Sequence, residues 1–397
     1  MAEQFQYGDI FSANSIEASP GSVRHSKYDF AVAYPDPDTL PLNDLIDAVK
    51  SGFEREGKDL AYYSSPSGDP ELRKLVAEKL SLERNMTVTA DDMVLTSGSG
   101  EAIGIVIQAL TDPGDVVLVE EFVYLGTLNQ MRRYGADCVG IKCDDDGIIP
   151  EDLDSVITEQ KAKGKKVKYL YTIPAFQNPM GWTMSLERRK QVLGITGKHG
   201  IPVFEDDCYA DLRFSGENVT SFHSLDDTGR VIYVGSFSKI IAPGMRMGYL
   251  VAPKEVIARA WSFKSGGAVS QFTALTIAEF MKGNIDRHIE EQNKSLIAKR
   301  DAMVAALGEN FGSTVSWTVP DGGLYIWVKF PEGTDMATVQ EDIFQDGVSY
   351  YNGSQFSASG DGSNYVRLCF GHPPVETIRE GIAEFAKILD RRKVFPR

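Results

Sequence analysis

Between residues 92 and 251 the chain alternates short apolar runs with stretches of helical spacing, and this limits the fold more than any other feature. The strand-like runs are 92–96, 115–120, 167–173, 201–205, 231–234 and 248–251. Stretches 101–110, 125–134 and 186–198 between them carry apolar residues at helical intervals. Apolar strands separated by helices predict an α/β fold with a mostly parallel sheet covered on both faces.

The flanks differ. Residues 1–30 are irregular and polar and read as an arm. Residues 42–53 and 70–82 suit helices, the second with Pro70 in its first turn and Asp69 as its cap. After residue 284 a long helical stretch (284–307) leads into strands 316–319 and 324–330, a helix 336–344, a strand 365–370 and a helix 375–389. That pattern predicts a smaller α+β lobe, with the division near residue 285.

At 397 residues the chain is long enough for two lobes with separate cores. A net charge of -15 repels nucleic acid and anionic membranes, so neither is expected as a partner. No apolar run is long enough to span a bilayer, and the N-terminus lacks the basic-then-apolar pattern of a secretory signal. Cys138, Cys143, Cys208 and Cys369 read as buried thiols of a reducing cytoplasm. With the five histidines scattered, no metal site is expected.

Four segments carry chemistry. Ser97-Gly98-Ser99-Gly100-Glu101 follows a strand and opens a helix, where free backbone amides and the helix dipole suit a phosphate. Such turns are common by themselves. Gly235-Ser236-Phe237-Ser238-Lys239, with Arg246 seven residues on, crowds hydroxyls and two cations at a strand's C-terminal end, the edge where open α/β sheets bind ligands. A lysine there forms a Schiff base once burial or positive neighbours lower its pKa; the bland alternative is a solvated loop lysine. Glu205-Asp206-Asp207-Cys208-Tyr209 places carboxylates at another strand end, to pair with a protonated ring nitrogen or to cap a helix. In 174–181, Asn178-Pro179 before a glycine marks a turn whose amide can donate to a ring oxygen.

Together these segments resemble the fold-type I aminotransferases, in the subgroup of aminoadipate, kynurenine and aromatic amino-acid aminotransferases. The resemblance runs from about residue 28 to the end and is most specific around Lys239. It implies an aspartate aminotransferase-like fold with a seven-stranded central sheet. It also implies a small domain of 31–60 with 286–397, a large cofactor-binding domain of 61–285, and pyridoxal 5'-phosphate as cofactor. Lys239 would hold the cofactor and then shuttle the proton, Asp206 would pair with the pyridinium nitrogen, and Tyr124 would stack on the ring. Asn178 and Tyr209 would bond the phenolic oxygen; Ser99, Gly100, Ser236, Ser238 and Arg246 would hold the phosphate. Arg367 would take the substrate α-carboxylate as a bidentate fork. Tyr63 would reach the phosphate of a neighbouring subunit, which implies a homodimer with shared sites, although Tyr62 beside it can take that place. Core packing is the bland alternative for Tyr124, and a surface ion pair for Arg367.

The sequence departs from the family's usual forms on the substrate side. Val32-Ala33-Tyr34-Pro35 stands where Gly-Gly-Leu-Pro is usual, which would narrow the pocket or put Tyr34 in it. Glu101 stands close to the expected phosphate, where a carboxylate is unfavourable unless it points away. Phe122 precedes Tyr124 in a block lacking its usual proline, and Tyr350-Tyr351-Asn352-Gly353 replaces a common Pro-Gly. The candidates to line the side-chain pocket are Tyr34, Tyr63, Phe122 and Arg24, the last also readable as a solvated residue of the arm. The leading expectation is transamination between an amino acid and a 2-oxo acid; another pyridoxal-phosphate reaction (elimination, replacement or carbon–carbon bond formation) stays open. A sensor domain fused to a winged-helix DNA-binding domain is disfavoured by the charge and by the early start of the resemblance.

Overall fold

The computed structural model describes residues 8–12 and 24–395. Most of the expected arm, and the N-terminal stretch in which a secretory signal was sought, therefore lie outside the described residues. In chain order the strands are β1 (Tyr28–Asp29), β2 (Met93–Thr96), β3 (Val116–Glu120), β4 (Asp137–Ile141), β5 (Cys143–Asp144), β6 (Gly147–Ile148), β7 (Val167–Thr172), β8 (Val203–Asp206), β9 (Val231–Ser236), β10 (Gly248–Val251), β11 (Ser316–Trp317), β12 (Tyr325–Lys329), β13 (Val348–Ser349), β14 (Tyr351–Asn352) and β15 (Tyr365–Cys369). The helices are α1 (Leu42–Glu56), α2 (Pro70–Arg84), α3 (Ser99–Leu110), α4 (Leu125–Arg133), α5 (Pro150–Ala162), α6 (Leu186–His199), α7 (Phe222–Leu225), α8 (Lys254–Trp261), α9 (Gln271–Met281), α10 (Ile285–Phe311), α11 (Gln340–Gln345) and α12 (Val375–Arg392).

Seven strands form the large sheet in the order β2-β10-β9-β8-β7-β3-β4, an aspartate aminotransferase-like α/β arrangement. All neighbours pair in parallel except β10, which runs antiparallel to both β2 and β9. Strands β2, β3, β8, β9 and β10 are buried along their whole length, which is why they read as unbroken apolar runs rather than as alternations. Each fully buried Val, Leu or Ile contributes about 1.5–3 kcal/mol relative to exposure. The insertion of β10 sets the site. Gly248 pairs with Thr96 on one side and Ser236 on the other, so the turn after β2 and the loop after β9 open at one sheet edge.

A second, antiparallel sheet has the order β11-β12-β15-β14. Helix α12 packs on α10 beside it, and Phe311, Phe330 and Phe385 interlock there. Strand β1 pairs in parallel with β13, so Tyr28 and Asp29 lie in a strand and not in an irregular arm. The backbone amide of Tyr28 donates to the Gly347 carbonyl at 2.9 Å, and its side chain is buried.

Some expected boundaries shift for local reasons. Helix α11 starts at Gln340 rather than near 336, because the Asp335 carboxylate accepts from the amides of Ala337 and Thr338 and turns the chain. Strand β8 begins at Val203, since the Ile201 amide is spent on the Thr196 carbonyl at 2.8 Å and Pro202 has no amide. Helix α3 starts at Ser99, two residues before the expected position. Strand β4 and helices α5, α8 and α9 were not anticipated; β4 is an edge strand with a polar start, so no apolar run marks it.

Helix α1 lies along α9. A Cβ on Gly52 would sit 2.9 Å from Leu275 Cβ, so the small residue permits this approach. The opposite face of α1 leaves Leu42 and Ile46 62% and 65% exposed. Among the described residues, no helix is long and apolar enough to cross a membrane.

Candidate active site

The phosphate-type end is built on β2, β9 and β10. Gly98 has φ +84, a left-handed conformation that favours glycine, and a Cβ there would fall 2.5 Å from Arg246 Nη2 and push the guanidinium aside. It is the cap residue of α3 and provides no side-chain cap, and Ser99 and Gly100 begin the helix with their amides toward the loop. Arg246, itself in a left-handed conformation (φ +47), donates from Nη2 to the Ser97 carbonyl at 3.1 Å. Ser236 Oγ accepts from the Ser238 amide at 3.1 Å, which folds the hydroxyl-bearing loop over the same edge. The Glu101 carboxylate turns back to the Ser97 amide (2.7 Å) and to Lys264.

Lys239 follows on that loop. Its Nζ donates to the Ala33 carbonyl at 2.6 Å, and Gln292 of α10 donates to its backbone carbonyl at 2.9 Å. Burial, helped by the Arg367 and Arg246 cations, holds its ammonium below the ordinary lysine range. Lys239 is thus enclosed by the fold and not a solvated loop lysine.

Asp206 ends β8 and is buried. Tyr171 OH donates to its Oδ2 at 2.5 Å, while Oδ1 has no hydrogen-bond partner. Burial raises the carboxyl above its usual range. A buried, partnerless carboxylate oxygen is costly unless a ligand supplies the donor.

Asn178 joins three segments. Its Nδ2 donates to Tyr209 OH (3.2 Å) and Tyr325 OH (3.4 Å), and its Oδ1 accepts from Arg367 Nη1 at 3.0 Å. The hydroxyls of Tyr209 and Tyr325 lie 2.9 Å apart. Arg367 is 3% exposed, which rules out a surface ion pair. Its Nη2 donates to the Ala31 carbonyl at 2.6 Å, its Nε has no partner, and its plane lies over Tyr325, Tyr351 and Phe356 at 4.5, 4.9 and 5.1 Å. Tyr124 caps α4, is 40% exposed, and has Arg367, Asp206 and Cys208 within electrostatic reach. It is therefore not simple core packing.

Lys239, Asp206, Asn178, Tyr209, Tyr124 and Arg367 come together, and Ser99, Gly100, Ser236, Ser238 and Arg246 gather at the adjoining end. Tyr34, Tyr62, Tyr63 and Arg24 do not join them. The Tyr34 ring packs on His372 (5.7 Å) and His25 (6.4 Å), and the neighbouring carbonyls of Ala31 and Ala33 face the site instead. Tyr62 and Tyr63 are 77% and 105% exposed, the second fully open to solvent. Arg24 pairs with Glu341 at 2.9 Å on the surface, over the Phe344 ring. Phe122 packs on Trp327 and Tyr365 beside the site.

Sequence reasoning missed Tyr325, Gln177 and Glu120. Glu120 ends β3 fully buried; its oxygens accept from Thr172 Oγ1 (2.6 Å), the Ile173 amide (2.9 Å) and Gln177 Nε2 (2.8 Å). Burial pushes its carboxyl up to about 8. Gln177 also donates to the Phe122 carbonyl at 2.7 Å, which ties the Asn178 turn to the segment carrying Tyr124. A carboxylate closing an apolar strand was the available signal. The cysteines were expected to be buried, but Cys138, Cys143 and Cys208 are only partly so; Cys369 is buried.

Similarity to known proteins agrees with this geometry. The profile of aminotransferase class I and II matches residues 31–385. Aromatic-amino-acid aminotransferase 1 of Thermococcus litoralis is 35% identical over 399 residues, covering 98% of this chain and 96% of the relative. The crystal structure of Pyrococcus horikoshii kynurenine aminotransferase in complex with PMP superposes with a TM-score of 0.90 at 33% identity, over 97% of this chain and 98% of that one. An archaeal alanine:glyoxylate aminotransferase superposes at 0.92 with 31% identity, over 98% and 100% of the two chains.

Proposed function

Because the chain belongs to the class I and II aminotransferases and is a transferase of amino groups, we propose that the assembled residues hold pyridoxal 5'-phosphate and move an amino group between an amino acid and a 2-oxo acid. The observation that carries this reading is Asp206 Oδ1, buried and without a hydrogen-bond partner, at a sheet edge that also carries a buried lysine whose pKa is held below its usual range. That oxygen suits a protonated ring nitrogen, and the free amides of α3 with Arg246 suit a phosphate, so the residues fit the group. When bound, the cofactor supplies an electron sink for the α-carbon of the amino acid.

The chain's own residues do the rest. Lys239 Nζ would hold the cofactor covalently and, as a free amine, would carry the proton at the α-carbon. Asp206 keeps the ring nitrogen protonated. Asn178 and Tyr209 donate to the phenolic oxygen, and Tyr124 covers one ring face. Ser99, Gly100, Ser236, Ser238 and Arg246 grip the phosphate. Arg367, already oriented by Asn178, takes the α-carboxylate with both Nη groups. Release of Arg367 and Lys239 from the carbonyls of Ala31 and Ala33 makes those donors available.

Tyr63 is read as completing the phosphate cup of a second copy. Its full exposure and the apolar face of α1 support a homodimer. We read the chain as 61–285 binding the cofactor and 31–60 with 286–397 forming the substrate-side domain. Free cysteines accord with a cytoplasmic protein.

The test is the visible spectrum of the purified protein as single amino acids, then 2-oxo acids, are added. Bleaching by an amino acid and recovery with a 2-oxo acid is expected, and identifies the donor. Ammonia release without recoverable colour overturns transamination. A protein that never acquires colour with added pyridoxal phosphate overturns the role of Lys239.

A further inference from the structure

We infer that Glu101 and Lys264 form a charge-balancing pair that sets how tightly the cup at the start of α3 holds a phosphate group. The inference rests on the reading of that cup as the cofactor's phosphate site. Both oxygens of the Glu101 carboxylate lie 2.8 Å from Lys264 Nζ, and the Lys264 side chain is 3% exposed. The carboxylate offsets the cost of holding that ammonium away from water. Lys264 also lies 5.5 Å from the Trp261 ring, at the end of α8.

The position is unusual for a carboxylate. Glu101 is the third residue of α3, next to Gly100. An acidic side chain favours a bare helix N-terminus, but a second anion arriving there meets like charge. Lys264 removes that conflict by cancelling the carboxylate, which leaves Arg246 and the helix amides to act on the phosphate. Glu101 also does local work. It accepts the Ser97 amide at 2.7 Å while Arg246 holds the Ser97 carbonyl at 3.1 Å. Ser97 is thus held at both its amide and its carbonyl, directly before the start of α3. Glu101 and Lys264 are positioning residues; neither touches the reacting atoms.

Net charge predicts an order of affinity. Glu101→Gln keeps an acceptor for the Ser97 amide and leaves Lys264 uncancelled. Lys264→Met leaves a bare carboxylate beside the cup. The double variant is balanced again. The experiment is equilibrium dialysis of the full-length protein with pyridoxal phosphate, repeated with inorganic phosphate as competitor and with pyridoxal, which has no phosphate. Glu101→Gln should tighten pyridoxal phosphate about threefold, Lys264→Met should weaken it roughly tenfold, and the double variant should return to within about twofold of the starting protein. Inorganic phosphate should follow the same order, and pyridoxal should be indifferent.

A flat series, or an equal response to pyridoxal, overturns the inference. Should Lys264→Met fail to fold, Glu101→Gln alone decides: unchanged or weaker binding overturns it. Arg246→Met separates the two levels. If it leaves pyridoxal phosphate affinity unchanged, the phosphate reading of the cup falls. If it weakens binding while the Glu101 and Lys264 series stays flat, only this inference falls.

Discussion

The two ends of the site are built in opposite ways. The phosphate-type end draws on two loops that the antiparallel β10 brings side by side, and its donors are largely backbone amides left free by a helix start. The carboxylate-type end draws on residues 31–33, 178, 209, 325 and 367, and its donors are already bonded within the chain: Arg367 to Asn178 and Ala31, Lys239 to Ala33. One end is a cup of backbone amides carried at a sheet edge. The other is a closed knot of side chains that has to exchange partners when a substrate arrives. Rigid local geometry suits the part every cycle shares, and exchangeable contacts suit the part that admits and releases substrate.

Four measurements break or sharpen that contrast. Lys239→Ala should lower kcat by more than about 10⁴-fold, since it removes the anchor and the proton carrier together. If the ends are independent, affinity for inorganic phosphate should change by less than about threefold. Arg367→Lys should cost about 3 kcal/mol in kcat/KM, seen mostly as a raised KM for the amino acid, because a point charge cannot form the fork. Cofactor affinity should be nearly unaffected; a large loss there would merge the two ends into one.

Asp36→Asn tests the 31–36 segment. Asp36 is 3% exposed, pairs with Lys299 Nζ at 2.8 Å and accepts from Ser295 Oγ at 2.6 Å, fixing the segment to α10. The change leaves a buried ammonium uncompensated, so unfolding should become easier by about 3 kcal/mol in a urea titration, with KM rising and phosphate affinity steady. Glu120→Gln should have the smallest effect, on pH dependence. The folded-state value of about 8 lies above the ordinary 4.5, so the folded chain holds more protons between those values. Its contribution is therefore fully present below the ordinary value and is lost as pH rises through about 8. In Glu120→Gln the urea midpoint, followed from about pH 5 to about pH 9, should fall less steeply than in the parent.

The same contrast explains what was legible in the sequence. Lys239, Asp206 and Ser99 stand at or soon after the end of an apolar strand and Arg246 just before the next one, where chemistry-bearing residues are conspicuous against the apolar run. The carbonyls of Ala31 and Ala33 have no side-chain signature, and Tyr325 lies in an apolar strand where an aromatic reads as core. Glu120 ends such a strand too, but its partners Thr172 and Gln177 lie 52 and 57 residues away. The large sheet was legible because burial on both faces leaves apolar runs; β4, at the edge with an exposed start, escaped. Helices α5, α8 and α9 were passed over. Glycines at 98 and 248 were visible as glycines, but not as the reason two backbones can meet: a Cβ on Gly248 would sit 2.6 Å from the Ser99 amide.

The pairing of β1 with β13 has a consequence for the order in which a ribosome delivers this chain. Asp29 binds Ser349 across 320 residues, and Arg367 reaches Ala31 across 336. Within one chain the phosphate-type end draws on nothing beyond Lys264, so that much of it can assemble while the last third of the polypeptide is still being made, before a second copy adds its Tyr63. The knot around Arg367 cannot close until the chain's beginning has waited for its near-end to emerge. Nascent protein would thus gain a grip on phosphate well before it can discriminate one amino acid from another.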